Sequence, residues 1–159
     1  MILAIDPGIE KVGYAFFERK QKDFSFITSG LIKTKKTTSH EIRLMQIYDA
    51  LSVLIKKYKP QSIVIEQLFF FKNHKTVISV AQAQGVIVLI AAQNKIPLTY
   101  LTPLQIKETV TGYGNADKKS VLKMIKLILK SDLVVEDDDQ SDAIACGLAY
   151  CYLNRNLLG

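Results

Sequence analysis

The chain has 159 residues, enough for one domain that buries about 68–70% of the surface its unfolded form exposes, with little room for a second. Lys and Arg number 21 against 15 Asp and Glu, a formal charge of +6. Composition is that of a soluble globular chain, without low complexity or internal repeats and without the ~20-residue apolar run of a spanning helix.

Several of the acids crowd into one run, Glu136 to Asp142. The remaining surface is therefore more basic than the total, and a basic surface attracts polyanions, nucleic acid or an acidic membrane face among them. Met1 to Ile5 is apolar but too short, and lacks the basic lead-in, for a targeting signal. Cys146 and Cys151 lie in a helical pattern, where five residues rise ~7.5 Å, beyond the ~7 Å limit for a disulfide. Both read as small core residues, and the expected location is cytoplasmic.

Three strand-like segments come first. Ile2 to Asp6 is an apolar run ended by an acid, with Pro7-Gly8 as the turn. Val12 to Arg19 is rich in β-branched and aromatic residues, and Phe24 to Lys33 follows a short polar link. Such links predict an antiparallel meander. Ser39 has the chemistry of an N-cap, and Leu44, Ile47, Tyr48, Leu51, Leu54, Ile55 and Tyr58 form the stripe of a helix packed on a sheet. Pro60 closes it. Ser62 to Glu66 is a second acid-ended apolar run, so strand, helix and strand imply a parallel crossover and an α/β fold. A helix over Thr76 to Gln93 is apolar without a break from Gly85 to Ala92. That pattern predicts burial on two sides, against the sheet and against something else. Pro97 to Leu101 reads as a fifth strand, Pro103 to Val110 as a short helix, and Thr111-Gly112-Tyr113-Gly114 as a loop. Helices over Asp117 to Lys130 and roughly Asp138 to Asn154 complete the chain.

Asp6 and Glu66 end strands predicted to be parallel partners ~4.8 Å apart, where open α/β sheets place their sites. Asp139 and Asp142 are three apart at the start of the last helix and share a face. Each acid has an ordinary alternative: a turn residue before Pro-Gly, a solvated strand end, a complement to the helix dipole. Together they form a different proposition. Converging carboxylates would repel by roughly 4 kcal/mol per pair at 4 Å and an effective dielectric of 20, or take up protons. A hard divalent cation resolves this, and an all-oxygen set suits Mg²⁺ or Mn²⁺ rather than zinc. His40 and His74 are isolated and read as surface or loop residues.

Five segments, taken in order, resemble the RuvC family nearly end to end. They are Ile5-Asp6-Pro7-Gly8 with Gly13-Tyr14; Ile65-Glu66-Gln67-Leu68-Phe69 with Lys72-Asn73; Ala81-Gln82-Ala83-Gln84-Gly85-Val86; Pro103 through Lys118; and Asp139-Gln140-Ser141-Asp142-Ala143-Ile144-Ala145. The resemblance implies one RNase H-like nuclease domain over residues 1–159, an α/β fold with a five-stranded mixed sheet flanked by helices. It implies a Mg²⁺-dependent endonuclease that resolves Holliday (four-way) junctions as a homodimer in recombination and repair. Asp6, Glu66, Asp139 and Asp142 carry over as metal-binding carboxylates, for two ions per site with Mn²⁺ as a substitute. Lys118 carries over as a catalytic and DNA-contacting lysine. Lys107, Lys119, Lys72 and Asn73 carry over as DNA contacts, and Phe69 as an aromatic that stacks on an unpaired base. The RuvA/RuvB branch-migration complex is the further partner it brings into view. Gln84 departs from the family, whose members often carry Arg there. Asp138 and Asp142, four apart, also share a helix face, so the register of the third ligand stays open between Asp138 and Asp139.

Phe69-Phe70-Phe71 cannot all face inward just beyond a strand end, so at least one ring is expected outside. The apolar helix 76–93 is the candidate dimer interface, with full burial inside one monomer as its alternative. The competing functions are a YqgF-like nuclease acting on RNA or single-stranded ends, an actin-like ATPase or sugar kinase fragment, for which the chain is too short, and a non-catalytic DNA-binding module.

Overall fold

A computed structural model describes residues 1–20, 23–67, 74–130, 135 and 137–154. β1 (Ile2–Asp6), β2 (Lys11–Lys20) and β3 (Asp23–Lys33) form the expected meander, each pair antiparallel. α1 (His40–Tyr58) then carries the chain across the sheet to β4 (Ser62–Glu66), which pairs with β1 in parallel. After α2 (His74–Gln93), β5 (Leu98–Leu101) adds in parallel beside β4. The result is a five-stranded mixed sheet in the order β3-β2-β1-β4-β5. α3 (Pro103–Thr111), α4 (Lys118–Leu129) and α5 (Asp138–Leu153) follow. The predicted elements all form, with ends displaced by one or two residues.

The strands' period of two sorts residues onto two faces. Leu3, Ile5, Val12, Phe16, Ile63 and Ile65 point to one side, where they meet the inner stripes of α1 and α2. Ile2, Ala4, Ala15, Phe17 and Val64 point to the other, into a second core with α3, α4 and α5. This explains why β1 and β4 read as continuous apolar runs: both of their faces are covered. α1 buries the stripe its sequence announced, and Phe16 stacks on Tyr58 with ring centroids 4.2 Å apart. Ser39 caps α1 in extended backbone, but its hydroxyl donates to Glu41 at 2.6 Å instead of accepting from the helix.

α5 comes very close to the sheet. Apart from Asp142, every residue from Gln140 to Ala149 is buried, and the helix touches β1, β2, β3 and β4 as well as α3 and α4. Two glycines permit this. A Cβ on Gly147 would stand 2.2 Å from the Phe17 ring and 3.0 Å from Ala4, and one on Gly13 would stand 1.9 Å from the Asp139 carbonyl oxygen. Cys146 and Cys151 are free thiols buried in this layer, as their spacing required.

One expectation needs correction. The alternative of full burial inside one monomer does not hold for α2: among its described residues Ala83, Ile87, Ile90 and Ala91 are buried while Ile78, Val88 and Leu89 are exposed. An all-apolar helix reports how much surface needs cover, and a single chain supplies cover for one side. His40 and His74, read as surface or loop residues, are each the first residue of a helix, a position where short polar and hydrogen-bonding residues are common and a loop cannot be told from a helix start by composition.

Gly147→Ala sets two effects against each other. Replacing a mid-helix glycine gains about 1 kcal/mol in propensity, while overpacking a filled core costs about 1–3 kcal/mol. With the new methyl inside the van der Waals radius of an immobile buried ring, the cost wins. Urea unfolding should show a net loss of up to about 2 kcal/mol.

Candidate active site

Asp6 and Glu66 are the last residues of two parallel neighbours whose register pairs Ile5 with Ile65, so the two acids stand side by side at the carboxyl edge of the sheet. Asp142 reaches the same edge from the start of α5, brought down onto β2 by the absence of a side chain at Gly13. Asp6, Glu66, Gln67, Asp142, Lys107 and Lys118 line one cleft of about 380 Å³. Its far wall comes from α3 and α4. α3 starts at a capping box in which Thr102 and Gln105 exchange hydrogen bonds, with Pro103 opening the helix. α4 starts at Asp117, whose side chain accepts from Ser120 N at 2.7 Å. Fixing these two helix starts fixes where Lys107 and Lys118 project.

The acids depart from ordinary carboxylate behaviour. Burial pushes Asp6 well above its usual range, and Glu66, Asp142 and Asp139 push it further. Burial, reinforced by Asp142, lifts Glu66 to about 7. Asp142 is raised by burial against the opposing pull of Lys118, and Asp139 by burial and by Asp137. Desolvation works against the charge on Lys118, but Asp142 and Asp138 outweigh it and hold the ammonium charged. These are the marks of a site short of positive charge.

The expected residues are not all gathered equally. Asp6, Glu66 and Asp142 share the cleft; Asp139 is outside its lining, close enough to act on Asp6 through space. Among the described residues no three His, Cys, Asp or Glu side chains stand near enough together to hold one ion. Instead the Lys118 ammonium lies 3.2 Å from both Asp138 and Asp142, bridging them. The donor set fits a hard cation in its chemistry, all carboxylate oxygen with raised affinity for positive charge. Lys119 is exposed on α4, outside the cleft lining. Phe69, Lys72 and Asn73 fall outside the described residues. Sequence reasoning missed two pairings, Lys118 with Asp138 and Lys11 with Asp137. Neither leaves a local signal: their partners are 20 and 126 positions apart.

A family model described as crossover junction endodeoxyribonuclease RuvC matches residues 2–151. The chain belongs to the RuvC family. It is 44% identical over 158 residues to the RuvC of Fusobacterium nucleatum subsp. nucleatum, covering 99% of this chain and 81% of that protein. The RuvC of Thermosipho melanesiensis is 45% identical over 150 residues, 94% of each chain. Among solved structures, T. thermophilus RuvC in complex with a Holliday junction substrate superposes with a TM-score of 0.89 at 23% identity, covering 99% of this chain and 96% of that one. That likeness shows the fold: the RNase H-like sheet and helices of the RuvC resolvases. Family membership makes the chain a metal-dependent nuclease.

Folding raises the Glu66 pKa from 4.5 to about 7, so the folded state holds that proton more tightly than the unfolded chain. The stability it contributes is complete below pH 4.5 and is lost as the pH climbs through 7. Glu66→Gln should therefore stabilise the metal-free protein at pH 8, by an amount on the order of 3 kcal/mol, and leave it unchanged at pH 4. Thermal unfolding in a chelator at the two pH values measures the difference.

Proposed function

We propose that this chain resolves four-way DNA junctions by metal-assisted phosphodiester hydrolysis, with Asp6, Glu66, Asp139 and Asp142 as the carboxylates of the site. The observation that carries the reading is one cleft holding Asp6, Glu66 and Asp142 opposite Lys107 and Lys118, on a chain of net charge +6. The basic surface draws the DNA in. Lys107 and Lys118 receive the phosphate backbone at the cleft, and their charge keeps it from being repelled by the acids opposite. Glu66 and Asp6 define the edge against which the scissile group is oriented. Lys118, fixed by the start of α4, adds positive charge where the transition state accumulates negative charge. Mg²⁺, as two ions with Mn²⁺ able to replace them, would be held by the four carboxylates and supplies Lewis-acid stabilisation of the phosphoryl oxygens when bound. Asp138 is an alternative third ligand, and its exposure beside Lys118 fits a role in holding that lysine.

Phe69 is assigned to stacking on a base already unpaired at the branch, worth about 1–3 kcal/mol; Lys72, Asn73 and Lys119 are assigned to the flanking backbone. A two-fold junction asks for two sites related by a two-fold axis. The uncovered side of α2 supports a homodimer: Ile78 is 68% exposed and Leu89 53% exposed, and Gly85 between them faces open space. Apolar surface with small residues at its centre suits the close approach of a second copy.

Asp6→Asn should lose more than about 100-fold in cleavage of a synthetic four-way junction with Mg²⁺, more than an outer-shell substitution costs, while gel-shift binding of the junction persists. Cleavage equal to the parent's rejects the carboxylate assignment. Running hybrid and single-stranded substrates alongside separates junction resolution from action on RNA or free ends.

Leu89→Lys should convert a dimer into a monomer at micromolar concentration, with secondary structure retained. Light scattering decides it, and a parent that is already monomeric rejects the interface.

A further inference from the structure

We infer that Lys11 is a positioning residue for the acidic start of α5, anchoring it to β2 through Asp137; the inference rests on the carboxylate site proposed above. Lys11 opens β2, and its ammonium makes an ion pair with the Asp137 carboxylate. Asp137 is the N-cap of α5, and its side chain also accepts from Asp139 N at 3.2 Å. The lysine therefore acts on the backbone of Asp139 through a single intervening side chain. Two residues further along the same strand, Gly13 admits the Asp139 carbonyl against the sheet. A third tether comes from β3, where Gln140 Nε2 donates to Ser29 Oγ at 2.9 Å. Ion pair, bare backbone and side-chain hydrogen bond thus hold one helical turn on two adjacent strands, and Asp139 and Asp142 project from that turn.

The charges divide accordingly. Lys118 bridges Asp138 and Asp142 from the cleft side, and Lys11 takes Asp137 from the sheet side. The pair lies at the surface, with side-chain exposures of 36% and 21%, so its role here is to set the position of Asp137 and not to add much stability. The pairing leaves Asp139 and Asp142 on the side of the turn that faces Asp6.

Position and charge make opposite demands on the same residue. As a nearby positive charge, Lys11 repels a divalent cation, so removing it should tighten metal binding. As an anchor, it holds two of the four carboxylates in place, so removing it should loosen binding. Asp137→Asn separates the two further, because asparagine caps a helix about as well as aspartate yet cannot form the ion pair.

The test is Mn²⁺ titration of the full-length protein without DNA, followed by calorimetry. Lys11→Met and Asp137→Asn should each weaken Mn²⁺ binding about tenfold, the usual scale for residues that orient ligands. The double variant should be no weaker than either single one, and Lys11→Arg should restore most of the affinity. Amide exchange at Ser141 and Asp142 in metal-free protein should quicken severalfold in both single variants. Tighter or unchanged Mn²⁺ binding by Lys11→Met, with unaltered exchange, overturns the anchoring role while leaving the carboxylate site standing. A parent that takes up no Mn²⁺ overturns the site, and the role of Lys11 in it, even if exchange quickens.

Discussion

Carboxylates do not gather of their own accord; at a few ångströms each pair resists by kilocalories, and something else must hold them together. Here the burial of α5 does so. Ile144 and Leu148 disappear into the core, each worth about 1.5–3 kcal/mol, along with a row of alanines and two cysteines. Because the helix is rigid, seating its apolar body on β1 and β2 carries its acidic first turn to the strand ends whether or not the charges favour it. The raised pKa values of Asp6, Glu66, Asp139 and Asp142 record that conflict. A site of this kind is stable as folded protein and unsatisfied as chemistry, the condition in which binding a cation is favourable.

The two faces of the sheet are built differently for the same purpose. Toward α1 and α2 the strands present Leu3, Ile5, Phe16 and Ile65, large side chains that hold the helices at an ordinary distance. Toward α5 they present Gly13, Ala4 and Ala15 beside the larger Phe17, and α5 answers with Gly147, over which the Phe17 ring fits, and with more alanine. Small residues at these contacts shorten the gap, and the shorter gap is what lets the short Asp142 side chain share a cleft with the acids on strands. The lysines arrive from a third direction, on helix starts fixed by local capping, so cations and anions of the cleft belong to separately anchored elements.

α2 shows where a pattern on its own says too little. Its apolar run demanded cover on both sides, and the chain provides it on one. The residues state how much apolar surface the helix carries, and no periodicity within the chain says what, if anything, meets the side left exposed. His40 and His74 illustrate the smaller version of the same limit, since the residues that open a helix resemble those of the loop before it.

The acid-ended strands, the helix stripes and the spacing of Asp139 and Asp142 are local properties, set by periods of two and 3.6 residues, and they were legible in the sequence together with the order of elements and the family. The two acid-ended runs suggested that Asp6 and Glu66 end parallel strands, but the crossover leaves from β3, so that β4 lies beside β1 was decided by the assembled sheet. Tertiary structure alone decided how closely α5 lies on the sheet, that Lys107 and Lys118 close the cleft from the opposite wall, and that Lys11 and Asp137 meet across most of the chain's length. Those contacts depend on which side chains are missing at Gly13 and Gly147 and on distances between elements remote in sequence. Short-range order encodes what each segment is; only packing brings its charges within reach of one another.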